Sequence, residues 1–542
     1  MKVEEYIQSL SQLPLSDINS QLEEVCGISD FFSDTKDVCS TLRETRTDGY
    51  EYGDWQTNQD LSNKVIQLVN TNFQPQVLIE PTCGKGNFVL AALDSFETLT
   101  DVYAIEIFKP YLQQLKYDIL QGYLDGKYKR KINFHLMHYN VFDVDWEAIK
   151  REVNGKKLLI VGNPPWVTNS DLGRIDSNNL PQKANIKQVK GLSAITGKGN
   201  FDIAEYICYQ LIQNFTEKGT YFALLLKNSV IRQICNSVPK MHLHIKNMSQ
   251  YCIDAKKEFG ASVDASLFIY ESGNGEAACN VYDFYTKQML YQYGWVNGKF
   301  VSDTHSYKNT EYLDGSSPIN WRSGIKHDCQ SVLELEKSGD TYVNKLGEEV
   351  IIEDEYIYPY VKSSDIQKDN FEKNHVRYVI VPQKKIGENT ELLQYSAPLT
   401  YNYLLQHKNF FDQRKSSIYK KQYPFSIFGI GNYTFMPYKI VVSSLYKEPR
   451  FVLLSPINGK CVIPDDTCYL VGFDKYENAH LVYDLLTDTP VRDFIQSVSF
   501  QDAKRIITKE LLMRINLRKV SSQHINTLEY FLYSPQQELL FD

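Results

Sequence analysis

Apolar and polar positions fall into three regimes along the chain. Over the first fifty residues apolar side chains recur at helical spacing, in Val3, Tyr6, Ile7 and Leu10 and again in Ile18, Leu22 and Val25. That spacing predicts short amphipathic helices. From about residue 50 to 280, short apolar runs alternate with longer periodic segments. Strands are predicted at 76–80, 102–106, 132–136, 158–162, 220–226 and 266–270, and helices at 62–70, 86–96, 110–119 and 202–214. Such alternation predicts an α/β unit, a doubly wound parallel sheet with crossover helices on both faces. Beyond about 280 the alternation gives way to short aromatic and β-branched segments such as Val379-Ile380-Val381 and Ile440-Val441-Val442, with helical patterns at 479–486 and 490–496. The chain therefore divides on pattern into 1–49, a helical extension, 50–280, the α/β unit, and 281–542, a mixed α+β unit.

Composition narrows the class. A length of 542 residues exceeds what one hydrophobic core usually serves. A hydrophobic fraction of 43% against 23% charged excludes wholesale disorder. No apolar run approaches the roughly 20 residues of a membrane span, so no membrane partner is expected, and Met1-Lys2-Val3-Glu4-Glu5 is acidic where a secretory leader is cationic. Ten scattered cysteines contain no C-x-x-C pair, which argues for reduced thiols in a cytoplasm rather than a disulfide framework or a metal site.

Net charge is -8, yet it is segregated. Between Arg377 and Arg450 eleven lysines and arginines stand against four acids, whereas 331–370 carries ten acids and four bases. The basic block is interleaved with Tyr419, Tyr423, Phe425, Phe428, Tyr433 and Tyr438. That is the composition of a nucleic-acid face, and equally that of a solvated surface between buried aromatic strands.

Three motifs carry chemistry. In Val77-Leu78-Ile79-Glu80-Pro81-Thr82-Cys83-Gly84-Lys85-Gly86 an apolar strand ends in an acid and turns through G-x-G into a helix. Glycine there permits a tight turn and close approach of a nucleoside, although Val89 replaces the third glycine of the dinucleotide fingerprint. The next strand ends in Glu106, 26 residues further on, where a carboxylate can accept both hydroxyls of a ribose. The third motif is Leu158-Leu159-Ile160-Val161-Gly162-Asn163-Pro164-Pro165-Trp166. Two prolines remove two backbone donors and stiffen the turn, leaving carbonyls outward. The Asn163 amide oxygen and the Pro164 carbonyl can then accept both hydrogens of an exocyclic amino group, with Trp166 as a flat face for the ring.

This ordered set, over about residues 50–270, resembles the adenine-N6 DNA methyltransferases of bacterial restriction–modification systems. It resembles their γ arrangement, in which the cofactor motif precedes the Asn-Pro-Pro-aromatic motif and a target-recognition domain follows. The resemblance implies a Rossmann-like methyltransferase domain at 50–280 and a target-recognition domain at 281–542, with S-adenosylmethionine as cofactor and methylation of a flipped adenine in duplex DNA. It further implies a bacterial cytoplasmic location, at the nucleoid when bound to DNA, and a separate cognate restriction endonuclease as a partner.

Carried over residue by residue, Asp54-Trp55-Gln56-Thr57 resembles the segment closing over the methionine end of the cofactor, with Thr57 its contact. Glu80, Pro81, Thr82, Gly84 and Gly86 resemble the cofactor loop, and Glu106 with Ile107 the ribose-side strand end. Asn140-Val141-Phe142-Asp143 falls where the family has an acid near the cofactor's adenine; Asn140 stands in the acid's place and Asp143 lies three residues on, so the two remain alternatives. Asn163, Pro164, Pro165 and Trp166 form the catalytic motif, and Phe259 resembles the second aromatic of a base sandwich. The polar stretch 168–201 holds Lys183, Lys187, Lys190 and Lys198, with no acid between 177 and 201, and reads as a loop contacting DNA. In the basic block Lys384, Lys385, Arg414, Lys415, Lys420 and Lys421 are the expected phosphate contacts. Pro464-Asp465-Asp466 opens like a nuclease motif, but no E-x-K follows and it reads as a loop. The competing functions are methylation of ribosomal RNA or of a protein glutamine, and a non-catalytic recognition subunit.

Overall fold

The computed structural model describes residues 2–34, 56–167, 202–217, 219–260, 263–368, 377–501 and 505–520. It divides into two compact units, 1–300 and 301–542.

The first unit is organised around one sheet. Its strands are β1 (Val77–Glu80), β2 (Asp101–Glu106), β3 (Asn133–His138), β4 (Leu158–Gly162), β5 (Thr220–Lys227), β6 (Ile245–Ile253), β7 (Ala265–Ser272), β8 (Ala278–Asp283), β9 (Met289–Val296) and β10 (Lys299–Val301). They lie in the order β10-β9-β8-β6-β7-β5-β4-β1-β2-β3. β3, β2, β1, β4 and β5 run parallel, and β7 is antiparallel to both neighbours, β5 and β6.

Every residue of β1, β2 and β4 is buried, the signature of strands covered on both faces. Leu78, Val102, Ala104, Leu159 and Val161 share a core with apolar residues of the helices Gln59–Asn70, Asn87–Ser95 and Lys109–Leu124. Alternation sends Ile79 and Ile160 to the opposite face. On the second face the helix Ile203–Asn214 packs against both Trp146–Glu152 and Asn228–Ser237, and Asn228–Ser237 packs onto β5 and β7. The doubly wound expectation is met.

Two boundaries differ from those read off the pattern. The sheet continues through β8 and β9, which pair with β6 and with each other, so the first unit reaches residue 300 rather than 280. The N-terminal helices Val3–Leu10 and Leu15–Cys26 bury Val3, Ile7, Ile18 and Leu22 in the same core as the sheet. Lys116 also donates to the carbonyls of Asp30 and Phe31, so residues 2–34 form an integral layer of the first unit.

The second unit is mixed α+β. One sheet has the order β11-β20-β17-β18, from β11 (Arg322–Ser323), β17 (Tyr438–Ser443), β18 (Phe451–Leu454) and β20 (Cys468–Phe473). The other has the order β14-β13-β12-β16-β15-β19, from β12 (Glu334–Ser338), β13 (Thr341–Asn344), β14 (Glu349–Val350), β15 (Ile357–Val361), β16 (Arg377–Ile380) and β19 (Ile463–Pro464).

Candidate active site

Strand order reverses between β1 and β4, so the loops leaving their carboxyl ends diverge and open a crevice, the usual ligand position in such sheets. Past Glu80 the chain turns with Gly84 at φ +54° and Gly86 at φ +76°. A Cβ on Gly84 would come within 2.5 Å of the Gln56 side chain, and one on Gly86 within 2.3 Å of Leu115. Left-handed backbone and lack of room both favour glycine here. The loop is tied to β2 through Glu106, whose Oε2 accepts the Gly84 N–H at 2.7 Å and whose Oε1 accepts the Phe108 N–H at 2.8 Å.

The Asn-Pro-Pro-Trp segment leaves β4 beside this loop. The Thr82 hydroxyl donates to the Asn163 carbonyl at 3.4 Å, and the Asn163 amide Nδ2 donates to the Thr57 hydroxyl at 3.3 Å. Thr57 is buried, and its carbonyl accepts from the Asn87 side chain at 2.7 Å. Gln56 Oε1 accepts the Lys85 N–H at 3.2 Å. Segments 56–57, 80–87 and 163 thus meet at one place, although Thr57 and Asn163 are 106 residues apart. Pro81 and Pro164 are buried, and Thr82 and Pro165 are half-buried. Asp54 and Trp55 lie outside the described residues.

Glu80 is the unusual group. It is 2% exposed, and its Oε2 has no hydrogen-bond partner among the described residues. Burial drives its carboxyl well above the usual glutamate range; a backbone hydrogen bond from Val89 opposes the shift and the Glu106 charge adds to it. A buried carboxyl with an unanswered oxygen at a strand tip is costly unless a ligand completes it.

Trp166 is buried, its indole N–H donating to the Leu225 carbonyl at 3.3 Å. Phe259, on the short helix Ala255–Phe259, meets it with ring centroids 5.1 Å apart and planes at 71°. The pair sequence pointed to is brought together, but edge to face. A base cannot lie between the two as parallel plates until the rings part.

Beyond β3, the Asn140 side chain caps the turn 141–143 by accepting the Phe142 N–H at 3.1 Å. Asn140 is half-buried, Val141 buried and Asp143 exposed. Ile107, 41% exposed, presents an apolar surface past the end of β2, as does Phe108.

The basic block is less uniform than its composition suggests. Lys384, Lys385, Lys415, Lys420 and Lys421 are exposed. Arg414 instead donates to the carbonyls of Phe411, His327, Ser426 and Pro424 and stacks over the Tyr419 ring at 3.7 Å. Its guanidinium is a staple for the surrounding backbone. Of the six interleaved aromatics only Tyr423 is exposed, and Phe425 is core. Lys183, Lys187, Lys190 and Lys198 lie outside the described residues. Asn87, which fixes Thr57, was not singled out from sequence; its position as the first helical residue after G-K-G was the available signal.

No family model matches the chain. The chain is 40% identical over 471 residues to the type II methyltransferase M.NspV of Nostoc sp., spanning 86% of this chain and 96% of that protein. Among solved structures it resembles the type IIL restriction–modification enzyme MmeI in complex with DNA, with a TM-score of 0.52 at 13% identity, over 86% of this chain. It spans 64% of the MmeI chain, and at that identity the likeness concerns the fold. No helix among the described residues is long and apolar enough to cross a membrane. With identity and coverage of that order to M.NspV, and with the crevice between β1 and β4 built as described, the chain belongs to the type II methyltransferase family.

Proposed function

We propose that this protein is the DNA methyltransferase of a restriction–modification system and transfers the methyl group of S-adenosylmethionine to the N6 atom of a flipped adenine in duplex DNA. The observation that carries the reading is the meeting of Thr57, the Glu80–Gly86 loop and Asn163 at one crevice. The residues present fit the cofactor. Gly84 and Gly86 give the loop the left-handed turns that pack it tightly against Gln56 and Leu115, Glu106 stands at the tip of the strand where a ribose would be held, and the buried Glu80 oxygen has no hydrogen-bond partner among the described residues. Ile107 and Asn140 would flank the adenine. When bound, S-adenosylmethionine supplies an electrophilic sulfonium methyl.

The chain's own part is positioning and electrostatics. An adenine amino nitrogen has its lone pair delocalised into the ring and attacks poorly. The Asn163 amide oxygen and the Pro164 carbonyl accept the two amino hydrogens, favour a pyramidal nitrogen and stabilise the positive charge that develops on it. Thr57 fixes the Asn163 amide by accepting from its Nδ2, and the amide oxygen is the end that would accept from the base. Trp166 supplies the stacking surface once Phe259 withdraws its edge. Preorganised acceptors and in-line placement suffice, with no covalent enzyme intermediate. In the second unit, the exposed lysines of the basic block hold phosphates while side chains between them read bases.

The test is transfer of tritiated methyl groups to mixed-sequence duplex DNA, followed by hydrolysis to identify the base. Wild type is expected to yield N6-methyladenine, and Asn163→Ala to lower the rate about 10³-fold with the fold intact by circular dichroism. Label in cytosine, or full activity in the variant, would contradict the reading. Incorporation into RNA or protein and none into DNA would move it to another acceptor.

A further inference from the structure

Between β16 and the turn at 390–392, the segment Gln383-Lys384-Lys385-Ile386-Gly387-Glu388 projects from the second unit as a tightly built turn. The Glu388 N–H donates to the Lys385 carbonyl at 3.3 Å, and Gly387 has φ +78°, the pattern of a turn that needs glycine at its third position. The Glu388 carboxylate accepts the backbone N–H groups of Lys384 at 2.7 Å and Lys385 at 3.2 Å. Gln383, only 2% exposed, donates from Nε2 to the Lys385 carbonyl at 2.8 Å and accepts the Ile427 N–H at 3.0 Å. The single acid of the turn is thereby spent on its own backbone. What the turn offers outward is two lysine side chains and, at the corner between them and Gly387, Ile386.

Ile386 is 56% exposed at a position that turns normally give to polar residues or proline. Scattered exposed aliphatics mean little, but these are concentrated. Ile386, Leu392 and Tyr395 are three of the four most exposed large apolar side chains among the described residues, and they fall within ten positions. Lys384 and Lys385 flank this tip, and Lys415, Lys420 and Lys421 of the same stretch are exposed as well, so the occupant that matches this apolar tip in charge is polyanionic.

We infer that the Lys384–Glu388 turn is a wedge, with Ile386 entering between stacked base pairs of duplex DNA while Lys384 and Lys385 hold the adjoining phosphates. The inference rests on the proposed action on DNA. Apolar wedges part base steps at a cost of a few kcal/mol, which the phosphate contacts and the kinked DNA surface offset. Hydrogen bonds on both sides of the tip fix it before DNA arrives, so little loop ordering is left for binding to supply.

The experiment uses full-length protein and duplexes that carry the methylated site in varied flanks. Permanganate oxidation of unstacked thymines is read beside the salt dependence of Kd. Wild type should expose a reactive step separate from the methylated position. Ile386→Ala should lose that step and raise Kd about 10-fold with an unchanged salt slope, while Ile386→Leu retains both. Lys384→Ala with Lys385→Ala should flatten the slope of log K against log salt by nearly two, about 0.9 for each phosphate contact, and keep the reactive step at low salt. If Ile386→Ala binds with the wild-type Kd and leaves the reactivity pattern intact, the wedge is overturned while methylation stands. If wild type neither binds nor methylates DNA, the proposed function and the wedge fall together.

Discussion

Two buried glutamates, one in each unit, show what separates a site from a scaffold. Glu80 in the first unit is 2% exposed and Glu334 in the second is 3% exposed, so both have left water. Glu334 is answered: Lys345 reaches Oε2 at 2.7 Å, Lys362 reaches Oε1 at 2.6 Å, and His327 lies 3.6 Å away. Burial alone would raise its carboxyl, but the hydrogen bonds from His327, Lys345 and Lys362 win and hold it well below the usual range. At Glu80 burial wins, an oxygen is left without a partner among the described residues, and the carboxyl sits well above that range. Equal burial with opposite shifts separates a carboxylate whose partners are in place from one with an oxygen unpartnered among the described residues. Glu334 also lines a polar cavity of about 520 Å³ with Asp465, Asp466 and Lys362. Two lysines already claim Glu334, and no cluster of metal-binding side chains occurs among the described residues.

The sharpest way to break the contrast is Glu334→Gln. Removing one partner from a buried charge cluster costs about 3 kcal/mol, and urea unfolding should show that loss in the second unit. The sign with pH follows from the depressed carboxyl. Its contribution is complete above the ordinary glutamate value and disappears as pH falls through the lowered folded value, so the variant should lose that acid sensitivity.

A smaller effect is expected at Lys439, fully buried in β17 with its ammonium donating to the Met436 carbonyl at 2.6 Å. Burial pushes its pKa down to about 8, with the neighbouring Cys461 opposing the shift. Its charging cost is complete below pH 8 and fades as pH rises toward the ordinary lysine value. Lys439→Met should therefore stabilise by about 2 kcal/mol at pH 7, with a gain that shrinks in alkali, read by thermal melts across pH.

Smallest in stability at acid pH is Glu80→Gln. A raised carboxyl favours the fold while protonated and ceases to as pH rises through its folded value. The variant should match wild type below the ordinary glutamate value and become the more stable of the two as pH rises from there toward the raised folded value, the reverse of Glu334→Gln. Equal pH profiles for the two variants would dissolve the comparison.

Legibility followed locality. β1, β2 and β4 are uninterrupted apolar runs closed by Glu80, Glu106 and Gly162-Asn163-Pro164, and their positions were readable to within a residue or two. β6 was not, because Asn247 takes a left-handed backbone at φ +53° and the register slips between Lys246 and Ser249, which breaks the alternation that marks a strand. The boundary at 280 failed for a related reason: β8 returns beside β6 and β9 beside β8 through short polar turns, with no crossover helix to announce them. In the site, the glycine turn and its acids lie close in sequence and could be read directly. The edge-to-face meeting of Trp166 with Phe259 and the capture of Arg414 by four carbonyls depend on segments joined only by the fold. Composition counted Arg414 among free cations because it cannot register a backbone partner.

The most direct measurement of the central claim, that the unanswered Glu80 oxygen marks the cofactor crevice, is calorimetric titration with S-adenosylmethionine and S-adenosylhomocysteine. Wild type, Glu80→Gln and Glu334→Gln are compared below the melting range of each. The account predicts binding by wild type and by Glu334→Gln with matching affinity, and affinity at least about 10-fold weaker in Glu80→Gln, because a cationic ligand would draw the Glu80 carboxyl into its ionised form and Gln cannot supply that charge-assisted hydrogen bond. Wild-type affinity in Glu80→Gln, or weakening in Glu334→Gln alone, would contradict it.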